Sequence, residues 1–352
     1  MPGRIDLRRY LIFIVVLTLT AGMGGPASGQ SAVEPQVLAG PEGAFRLVDH
    51  FGRERVVNRP VKRVIVLGGA AAETIWALGG GDTIIARSEW TNWPPPMEER
   101  PSIGSPSHPN LELIWRLKPD LVIADSHFYA TAERVESLGV PVVFLNGYVQ
   151  PQVRGMVQAL GQLFERPAEA DRLMRFLDHL SGLLADRVGG LAPSERPRVF
   201  MGFSGQLYFT SNRKSGRRLI GLAGGINIAD SLPLPYQRVS AEWVVDQAPD
   251  HLVLGADLTR IGFKVPGPEY MAALKREILN RPEMRGLKCA AQGRVHLINY
   301  RIGYGLRNLI GAVHLAKSFH PRLMSGVDPR AIHRKMLDRF FGLDLEGTYF
   351  LP

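Results

Sequence analysis

One phrase of the sequence occurs twice, and this duplication constrains the fold more than any other feature. The first copy runs from Asn110 to Ala124 and reads NLELIWRLKPDLVIA, and the second runs from Ser240 to Gly255 and reads SAEWVVDQAPDHLVLG. Each copy has a residue that can cap a helix, a glutamate two residues later, an apolar-patterned run, Pro-Asp and a short aliphatic run. The copies lie 130 residues apart. A repeat of that length predicts two similar lobes rather than a solenoid.

Short aliphatic runs alternate with helical patterns in both halves of the chain. Aliphatic strands separated by helices are typical of a parallel sheet with helices on both faces. The predicted fold class is therefore α/β, with two Rossmann-like lobes that each contain a parallel sheet. The predicted strands are Val64–Leu67, Ile84–Ala86, Leu121–Ala124, Val142–Leu145, Arg198–Met201, Val253–Gly255 and Val295–Ile298.

The segment from Gln150 to Leu191 predicts two helices separated by Pro167, because proline disrupts a helix interior. Apolar residues recur at helical spacing up to Val188, and this second helix is the predicted connection between the lobes. The predicted domains are a signal peptide at 1–29, a lead-in segment at 30–60, an N-terminal lobe at 61–150, connecting helices at 151–190, and a C-terminal lobe with C-terminal helices at 191–352.

The first thirty residues predict export. Three arginines (Arg4, Arg8 and Arg9) precede an apolar run at Tyr10–Leu19, which is too short to span a bilayer. Small residues at Ala27–Gly29 then resemble a cleavage site. We therefore expect a cleavable signal peptide and a mature protein in the periplasm.

Composition excludes several other classes. With 45% hydrophobic and 21% charged residues, the chain has the balance of a globular protein with an ample core. Its net charge of +9 favours anionic partners, but the basic residues form no long run, so we expect no nucleic-acid partner. Cys289 is the only cysteine, which excludes an intrachain disulfide and a cysteine-based zinc site.

Candidate ligand contacts follow the predicted strands. Ligands bind outside the carboxyl ends of the strands in parallel α/β sheets, and two facing lobes would place both sets of ends in one cleft. Aromatic residues are frequent there, together with the cations Arg87, Arg301 and Arg307. This mixture predicts a bulky, partly apolar, anionic small molecule rather than a bare metal ion. The aromatic residues are Trp90, Trp93, Phe128, Tyr129, Tyr148, Phe203, Tyr208, Tyr236, Tyr300 and Tyr304.

Enzyme signatures are weak, and we predict a protein that binds without catalysis, cofactor or resident metal. Gly68-Gly69-Ala70 lacks the spacing of a dinucleotide-binding loop, and Gly202-Phe-Ser204-Gly205 is not a G-x-S-x-G nucleophile elbow. The alternative outside the binding proteins is an exported α/β hydrolase that uses Ser204.

The repeated glutamates, Glu112 and Glu242, have two interpretations. An acidic residue near a helix N-terminus complements the helix dipole, which stabilises by roughly 0.3–1 kcal/mol. That accounts for one glutamate more easily than for glutamate at the matching place in both copies. Two acidic side chains, one on each lobe, would also bind two basic sockets on a partner of matching symmetry.

These residues resemble a known family. The signal peptide, VKRVIVLGGAAAETIWALGGGDTIIA, both copies of the repeated phrase and the connecting helix are similar to the periplasmic substrate-binding proteins of ABC importers. The resemblance covers roughly residues 61–320 and is to the subgroup with a rigid interlobe helix, which serves iron–siderophore, haem and vitamin B12 uptake. It implies a monomer that delivers a small-molecule metal chelate to the dimeric permease of an inner-membrane importer.

The resemblance also implies roles for particular residues. The family's two permease-docking glutamates correspond to Glu112 and Glu242. Members that bind B12 place aromatic residues in the cleft where Trp90, Phe203 and Tyr236 stand here. Asn299–Tyr304 matches a ligand-contacting loop, in which Arg301 and Tyr304 are the expected contacts. The full set of predicted ligand-binding residues is Trp90, Trp93, His127, Tyr129, Phe203, Ser204, Tyr236, Arg301 and Tyr304.

The identity of the ligand stays open among relatives of this family. B12 binders have a further tryptophan near the position of Pro106, and its absence favours a ferric siderophore over B12. A haem site would use Tyr129, Tyr236 or His127 as an axial ligand. An oxyanion would bind backbone N–H groups at the Gly68–Ala71 turn. We predict a ferric-siderophore-like chelate.

Overall fold

The computed structural model describes residues 33–105, 108–148, 150–203, 209–211, 215–234, 236–256 and 268–352. The predicted signal peptide therefore lies outside the described residues. The chain divides into two compact units: unit 1 is Met1–Gly147 with Arg154–Ala170, and unit 2 is Tyr148–Val153 with Asp171–Pro352. None of the helices in the described part combines the length and the hydropathy that crossing a membrane requires.

Unit 1 contains a parallel four-stranded sheet. Its strands are β4 (Val64–Val66), β5 (Ile84–Arg87), β6 (Leu121–Ala124) and β7 (Val142–Phe144), in the order β5-β4-β6-β7. All residues of β4, β6 and β7 are buried, as expected for strands covered on both faces. The predicted α/β fold class is thus confirmed in unit 1.

Strands also form in the segment predicted as a lead-in. An antiparallel sheet in the order β1-β2-β3 consists of β1 (Gln36–Ala39), β2 (Ala44–Val48) and β3 (Glu54–Asn58). Leu47 and Val57 are the only residues of these three strands with no exposed surface. The segment therefore belongs to the folded body of unit 1 from Gln36 onwards.

Unit 2 repeats the parallel arrangement. The order of its main sheet is β10-β8-β12-β13-β14, and the first four strands are parallel whereas β14 is antiparallel. A separate antiparallel pair joins β9 to β11. The strands are β8 (Arg198–Phe203), β9 (Phe209–Ser211), β10 (Ile226–Asn227), β11 (Tyr236–Arg238), β12 (His251–Ala256), β13 (Val295–Asn299) and β14 (Phe350–Leu351).

The helices follow most of the predicted patterns. The second helix between the lobes begins at Pro167. Proline suits this position because the first N–H groups of a helix have no intrahelical acceptor, so the missing proline N–H breaks no hydrogen bond. This helix passes from unit 1 to unit 2 at Ala170 and Asp171. The helices are α1 (Gly69–Ala77), α2 (Leu111–Leu117), α3 (Ala132–Glu136), α4 (Gln150–Leu163), α5 (Pro167–Leu184), α6 (Ser215–Leu222), α7 (Ala241–Asp246), α8 (Pro268–Leu279), α9 (Lys288–Ala291), α10 (Asn308–Phe319) and α11 (Pro329–Phe341).

The duplicated phrase folds twice into the same local structure. Asn110 caps α2 by accepting a hydrogen bond from Leu113 N at 2.9 Å, and Ser240 caps α7 by accepting one from Trp243 N at 3.1 Å. The pattern of buried and exposed residues over 111–119 repeats residue by residue over 241–249. Each unit therefore presents the same helix face to solvent.

The turn after each of these helices is also the same. Lys118 and Ala248 both have positive φ, at 46° and 44°, which lets the chain turn from the helix towards the following strand. Asp120 Oδ2 accepts a hydrogen bond from Arg63 N at 2.8 Å, and Asp250 Oδ2 accepts one from Arg198 N at 2.8 Å. The Pro-Asp step thus attaches each helix-to-strand turn to the neighbouring strand.

Candidate functional site

Aromatic side chains of unit 2 come together from the carboxyl ends of β8 and β13 and from the first residues of β9 and β11. We define the aromatic site as six rings from five segments, and every one of them is partly exposed. The ring centroids of Phe203 and Tyr300 are 5.1 Å apart, and those of Phe203 and Phe209 are 5.6 Å apart. Phe209 in turn stacks on Tyr236 with centroids 6.3 Å apart, and Tyr148 and Tyr304, 6.1 Å apart, are the fifth and sixth rings. The six are Tyr148, Phe203, Phe209, Tyr236, Tyr300 and Tyr304.

The loop that carries part of this site is held by three hydrogen bonds. The buried Asn299 side chain accepts a bond from Arg301 N at 2.8 Å, which fixes the 3-10 turn after β13. Asn308 Nδ2 donates to Gly303 O at 2.7 Å, and Gly305 N donates to Tyr148 O at 3.5 Å. The backbone around Arg301 and Tyr304 is therefore positioned before any ligand binds.

Within the aromatic site, Tyr300 packs against the main sheet of unit 2. Its ring lies over Gly255 of β12, where an added Cβ would be 2.1 Å from Tyr300 Cζ. The hydroxyl oxygen is buried and has no hydrogen-bond partner among the described residues. Burial, followed by the neighbouring Tyr236 and Tyr304, raises the pKa of Tyr300 well above its ordinary value. The hydroxyl is therefore neutral at physiological pH and keeps the proton that a hydrogen-bond donor needs.

Unit 1 places polar and aromatic groups at the ends of its own strands. Asp125, directly after β6, accepts a hydrogen bond from His127 N at 2.9 Å, and its carboxylate lies 2.9 Å from His127 Nδ1. The Trp90 ring, which follows β5, packs edge-on against His127 with centroids 6.4 Å apart. Trp90 and His127 are both accessible to solvent. The structure thus brings these two predicted residues together.

Two other predicted contacts of unit 1 lie in packed surroundings. Trp93 is buried, and its Nε1 donates to Glu73 Oε1 on α1 at 3.2 Å. The Tyr129 ring packs against Phe51 at 5.1 Å and Phe144 at 5.5 Å, as part of the hydrophobic cluster of unit 1. These two side chains therefore have packing roles within unit 1 that the sequence did not reveal.

The cations predicted near the strand ends differ in environment. Arg87 donates from Nη1 to the carbonyl oxygen of Ser88 at 3.1 Å and so supports the loop after β5. Arg307 is 1% exposed, and its guanidinium lies 5.8 Å from the centre of the Tyr349 ring. Arg301 is partly exposed. Of the three, Arg301 therefore combines an accessible position with a place in the loop of the aromatic site.

Ser204 and Pro106 lie outside the described residues, as does Tyr208. Across the described ranges, no group of three or more histidine, cysteine, aspartate and glutamate side chains converges in a way that could hold a metal ion. Phe209 was missed by the sequence analysis because it follows no predicted strand; its position became evident only from the pairing of β9 with β11.

Glu112 and Glu242 occupy matching exposed positions in the first turns of α2 and α7. Glu112 Oε1 lies 3.9 Å from Arg116 Nη1, and both side chains are largely in solvent. Hydrogen bonds from its own backbone N–H and then from Ser240 lower the pKa of Glu242. Glu242 is therefore ionised at neutral pH.

Comparison with known proteins identifies the family. Residues 64–300 match the family model described as periplasmic binding protein. A vitamin B12-binding protein of Pectobacterium carotovorum is 29% identical over 203 residues, which are 57% of this chain and 73% of the relative.

Solved structures support the same fold. A TroA-like periplasmic binding protein, FepB, of Veillonella parvula has a TM-score of 0.74 with 19% identity, covering 87% of this chain and 99% of that chain. The molybdate periplasmic binding protein MolA of Haemophilus influenzae has a TM-score of 0.74 with 18% identity, covering 86% and 99%. At these identities the likeness shows the two-lobed α/β fold alone. Together with the family match, which spans more than half of the sequence, it establishes that this chain belongs to the periplasmic binding protein family, whose members here are substrate-binding proteins rather than enzymes.

Proposed function

We propose that this protein captures a ferric-siderophore-like chelate in the periplasm and delivers it to an inner-membrane ABC importer. The observation that carries the proposal is the aromatic site, whose six partly exposed rings include that of Tyr300 with its buried, neutral hydroxyl. Rings of this kind contact the flat, partly apolar groups of an organic chelator, and a phenol donates to its anionic oxygens. Arg301 in the same loop adds a positive charge beside them.

The ligand is tested by mass spectrometry of protein purified under native conditions from the periplasm of iron-starved cells, followed by titration of the stripped protein. The titration uses a ferric tris-catecholate, a ferric hydroxamate, cyanocobalamin, haemin and molybdate, read by calorimetry. We expect a ferric chelate to bind with the lowest Kd. Tighter binding of haemin or molybdate would overturn the ferric assignment.

A corrinoid is the second candidate, because the sequence is similar to vitamin B12-binding proteins over most of their length. The aromatic site could contact the corrin ring as it contacts a chelator. Cyanocobalamin binding at least 10-fold tighter than every ferric chelate would select this candidate and would leave the role as a binding protein unchanged.

Replacement of the buried hydroxyl separates binding from stability. Since Tyr300 Oη has no hydrogen-bond partner in the described part of the chain, Tyr300→Phe removes an unsatisfied polar atom and should leave the unfolding temperature unchanged or slightly higher. We expect the Kd of the ferric chelate to rise about 10-fold, because one hydrogen bond to an anionic oxygen is lost. Calorimetry and thermal denaturation measure the two quantities.

An unchanged Kd in the Tyr300→Phe variant would contradict a role of the hydroxyl in binding. Phe209→Leu is the matched variant from the same site, since it removes a ring but no hydrogen-bonding group. Phe209→Leu should raise the Kd of every ligand that packs on the ring, whereas Tyr300→Phe should raise the Kd most for ligands with anionic oxygens.

Delivery is proposed to depend on Glu112 and Glu242. Reversal of both charges (Glu112→Arg with Glu242→Arg) should lower uptake of the ferric chelate by cells more than about 100-fold, because each permease arginine would meet a like charge. The Kd of the isolated protein for the chelate should not change. Normal uptake by the double variant would mean that the glutamates act only on their own helices.

A further inference from the structure

The exposed faces of α2 and α7 have the same backbone structure but differ in their side chains. Face 1 is defined as the exposed residues Glu112, Trp115, Arg116 and Lys118, which lie on α2 or directly after it in unit 1. Face 2 is defined as the residues at the matching positions of the repeat in unit 2, which are Glu242, Val245, Asp246 and Ala248. Only the glutamate is common to both faces.

Trp115 is the large exposed hydrophobic residue of face 1. Its side chain is 62% exposed, and it is the only aromatic residue among the large exposed hydrophobic residues of the described chain. Val245, at the matching position 130 residues later, is 36% exposed. Each lies one helical turn after the glutamate, so that its side chain and the carboxylate share one side of the helix. Both units therefore pair an acidic group with an exposed apolar group.

The charges of the two faces also differ. On face 1, Arg116 lies 3.9 Å from Glu112 and partly neutralises it, and Lys118 adds a further positive charge. On face 2, Asp246 occupies the place of Arg116, so that two carboxylates lie on the same helix. Face 2 is consequently acidic, whereas face 1 has two cations and one carboxylate around an exposed indole.

We infer that Trp115 is the apolar anchor by which face 1 binds the importer permease, inserting into an apolar pocket that lies beside the cation for Glu112. The inference rests on the docking role proposed above for Glu112 and Glu242. Tryptophan is strongly enriched among residues that dominate binding at protein interfaces, because its large rigid ring buries much area at little entropic cost. Face 2 binds by charge, with Glu242 and Asp246 opposite basic groups.

The two binding modes differ in their dependence on salt. Attraction between exposed charges is screened within about 8 Å at physiological ionic strength, whereas burial of an indole is not. The anchor of face 1 should therefore hold the complex at salt concentrations that weaken face 2. Loss of the anchor should leave a complex that depends more steeply on salt.

Photocrosslinking in cells identifies the partner of Trp115. A benzoylphenylalanine at position 115 should form an adduct that mass spectrometry identifies as an ABC permease subunit. The control is position 56, because Val56 is 53% exposed and belongs to a different element of the same unit, β3. We expect at least 10-fold less permease adduct at 56 than at 115. Equal adducts at both positions, or an adduct at 115 with a second copy of this chain, would overturn the inference.

Substitution measures the contribution of the anchor. Trp115→Ala should weaken binding to vesicles that contain the crosslinked permease about 30-fold or more. Trp115→Val, which copies the residue at the matching position of unit 2, should give a smaller loss, and Val56→Ala should give none. The unfolding temperature and the Kd for the chelate should stay at the values of the unaltered protein, because Trp115 is exposed.

The variants distinguish the role of Trp115 as an anchor from the docking role proposed for Glu112 and Glu242. If the double charge reversal abolishes vesicle binding but Trp115→Ala does not change it, the anchor is wrong and docking through the glutamates stands. If neither variant changes vesicle binding, both ideas fail. If the Trp115→Ala complex is weaker but no more sensitive to salt, face 1 does not bind through an apolar anchor while face 2 binds through charge.

Discussion

Acidification from pH 7 to pH 5 is expected to lower the unfolding temperature of unit 2 by about 10 °C or more. Burial lowers the pKa of His251 and His314 to about 4 and that of His296 to about 3. Burial, followed by the nearby Arg307, also holds the pKa of His333 well below its ordinary value. Unit 2 thus contains four buried histidines that are neutral in the folded protein.

The sign of the effect follows from these low values. A histidine in the unfolded chain binds a proton near pH 6.5, whereas the folded protein resists protonation until about pH 4. The stabilisation is therefore complete above about pH 6.5 and is lost as the pH falls towards 4. Each pH unit removes up to about 1.4 kcal/mol for each histidine, a large amount against a total stability of about 5–15 kcal/mol.

The contacts of the histidines explain why protonation is resisted. His251 Nδ1 and His296 Nε2 share a hydrogen bond of 2.8 Å, which requires that one nitrogen accept, so both rings cannot be charged at once. Phe319 and Phe350 pack around this pair. The surroundings supply ring faces rather than the water that would solvate an imidazolium.

Calorimetry between pH 7 and pH 5 tests this expectation, with the difference between the two unfolding temperatures as the readout. His333→Gln should reduce that difference by roughly a quarter, whatever its effect at pH 7, because one of four titrating groups is removed. His179→Gln is the control, since His179 is an exposed residue of α5. Unit 1, in which burial lowers the pKa of His50 to about 4, should be less affected. Equal unfolding temperatures at both pH values would refute the account.

The second large effect is expected from Gly311→Ala. Gly311 lies in α10 against the turn that carries Tyr300 and Arg301, and an added Cβ would be 2.0 Å from the carbonyl oxygen of Ile302. A backbone atom cannot rotate away as a flexible side chain can, so the helix or the turn must move. We expect a loss of about 3 kcal/mol, which corresponds to a fall of about 6–12 °C in unfolding temperature.

The matched control is Gly182→Ala. Gly182 is also a helical glycine, in α5, but an added Cβ there meets no other atom within 4 Å. Alanine should therefore stabilise the protein by about 0.5–1 kcal/mol, because it reduces the freedom of the unfolded chain. If Gly311→Ala folds with unchanged stability and also keeps its affinity for the chelate, the close packing of α10 on the site loop would be disproved.

The strand and helix patterns were largely predictable because local sequence expresses them. The strand at Leu121–Ala124 was predicted with its observed bounds, and the helix that begins at Pro167 was predicted from the proline. The N-terminal sheet was not predicted, since its strands are only four or five residues long and are mostly exposed or half-buried, so that they lack the continuous aliphatic runs of the buried strands. The matching caps and turns of the two units confirm that the repeated phrase marks a repeated structure.

The sequence by itself determined the fold class, the family and the two matching glutamates, because hydrophobic periodicity, capping residues and the repeat are local properties of the chain. Tertiary structure decided which aromatic side chains are accessible. Trp90 and Tyr236 are partly exposed, whereas Trp93 is buried against Glu73, although the sequence gives all three the same position after a strand. Exposure depends on what other segments cover a residue. For the same reason only the structure revealed that Tyr300 has a buried hydroxyl and that Trp115 lies open to solvent.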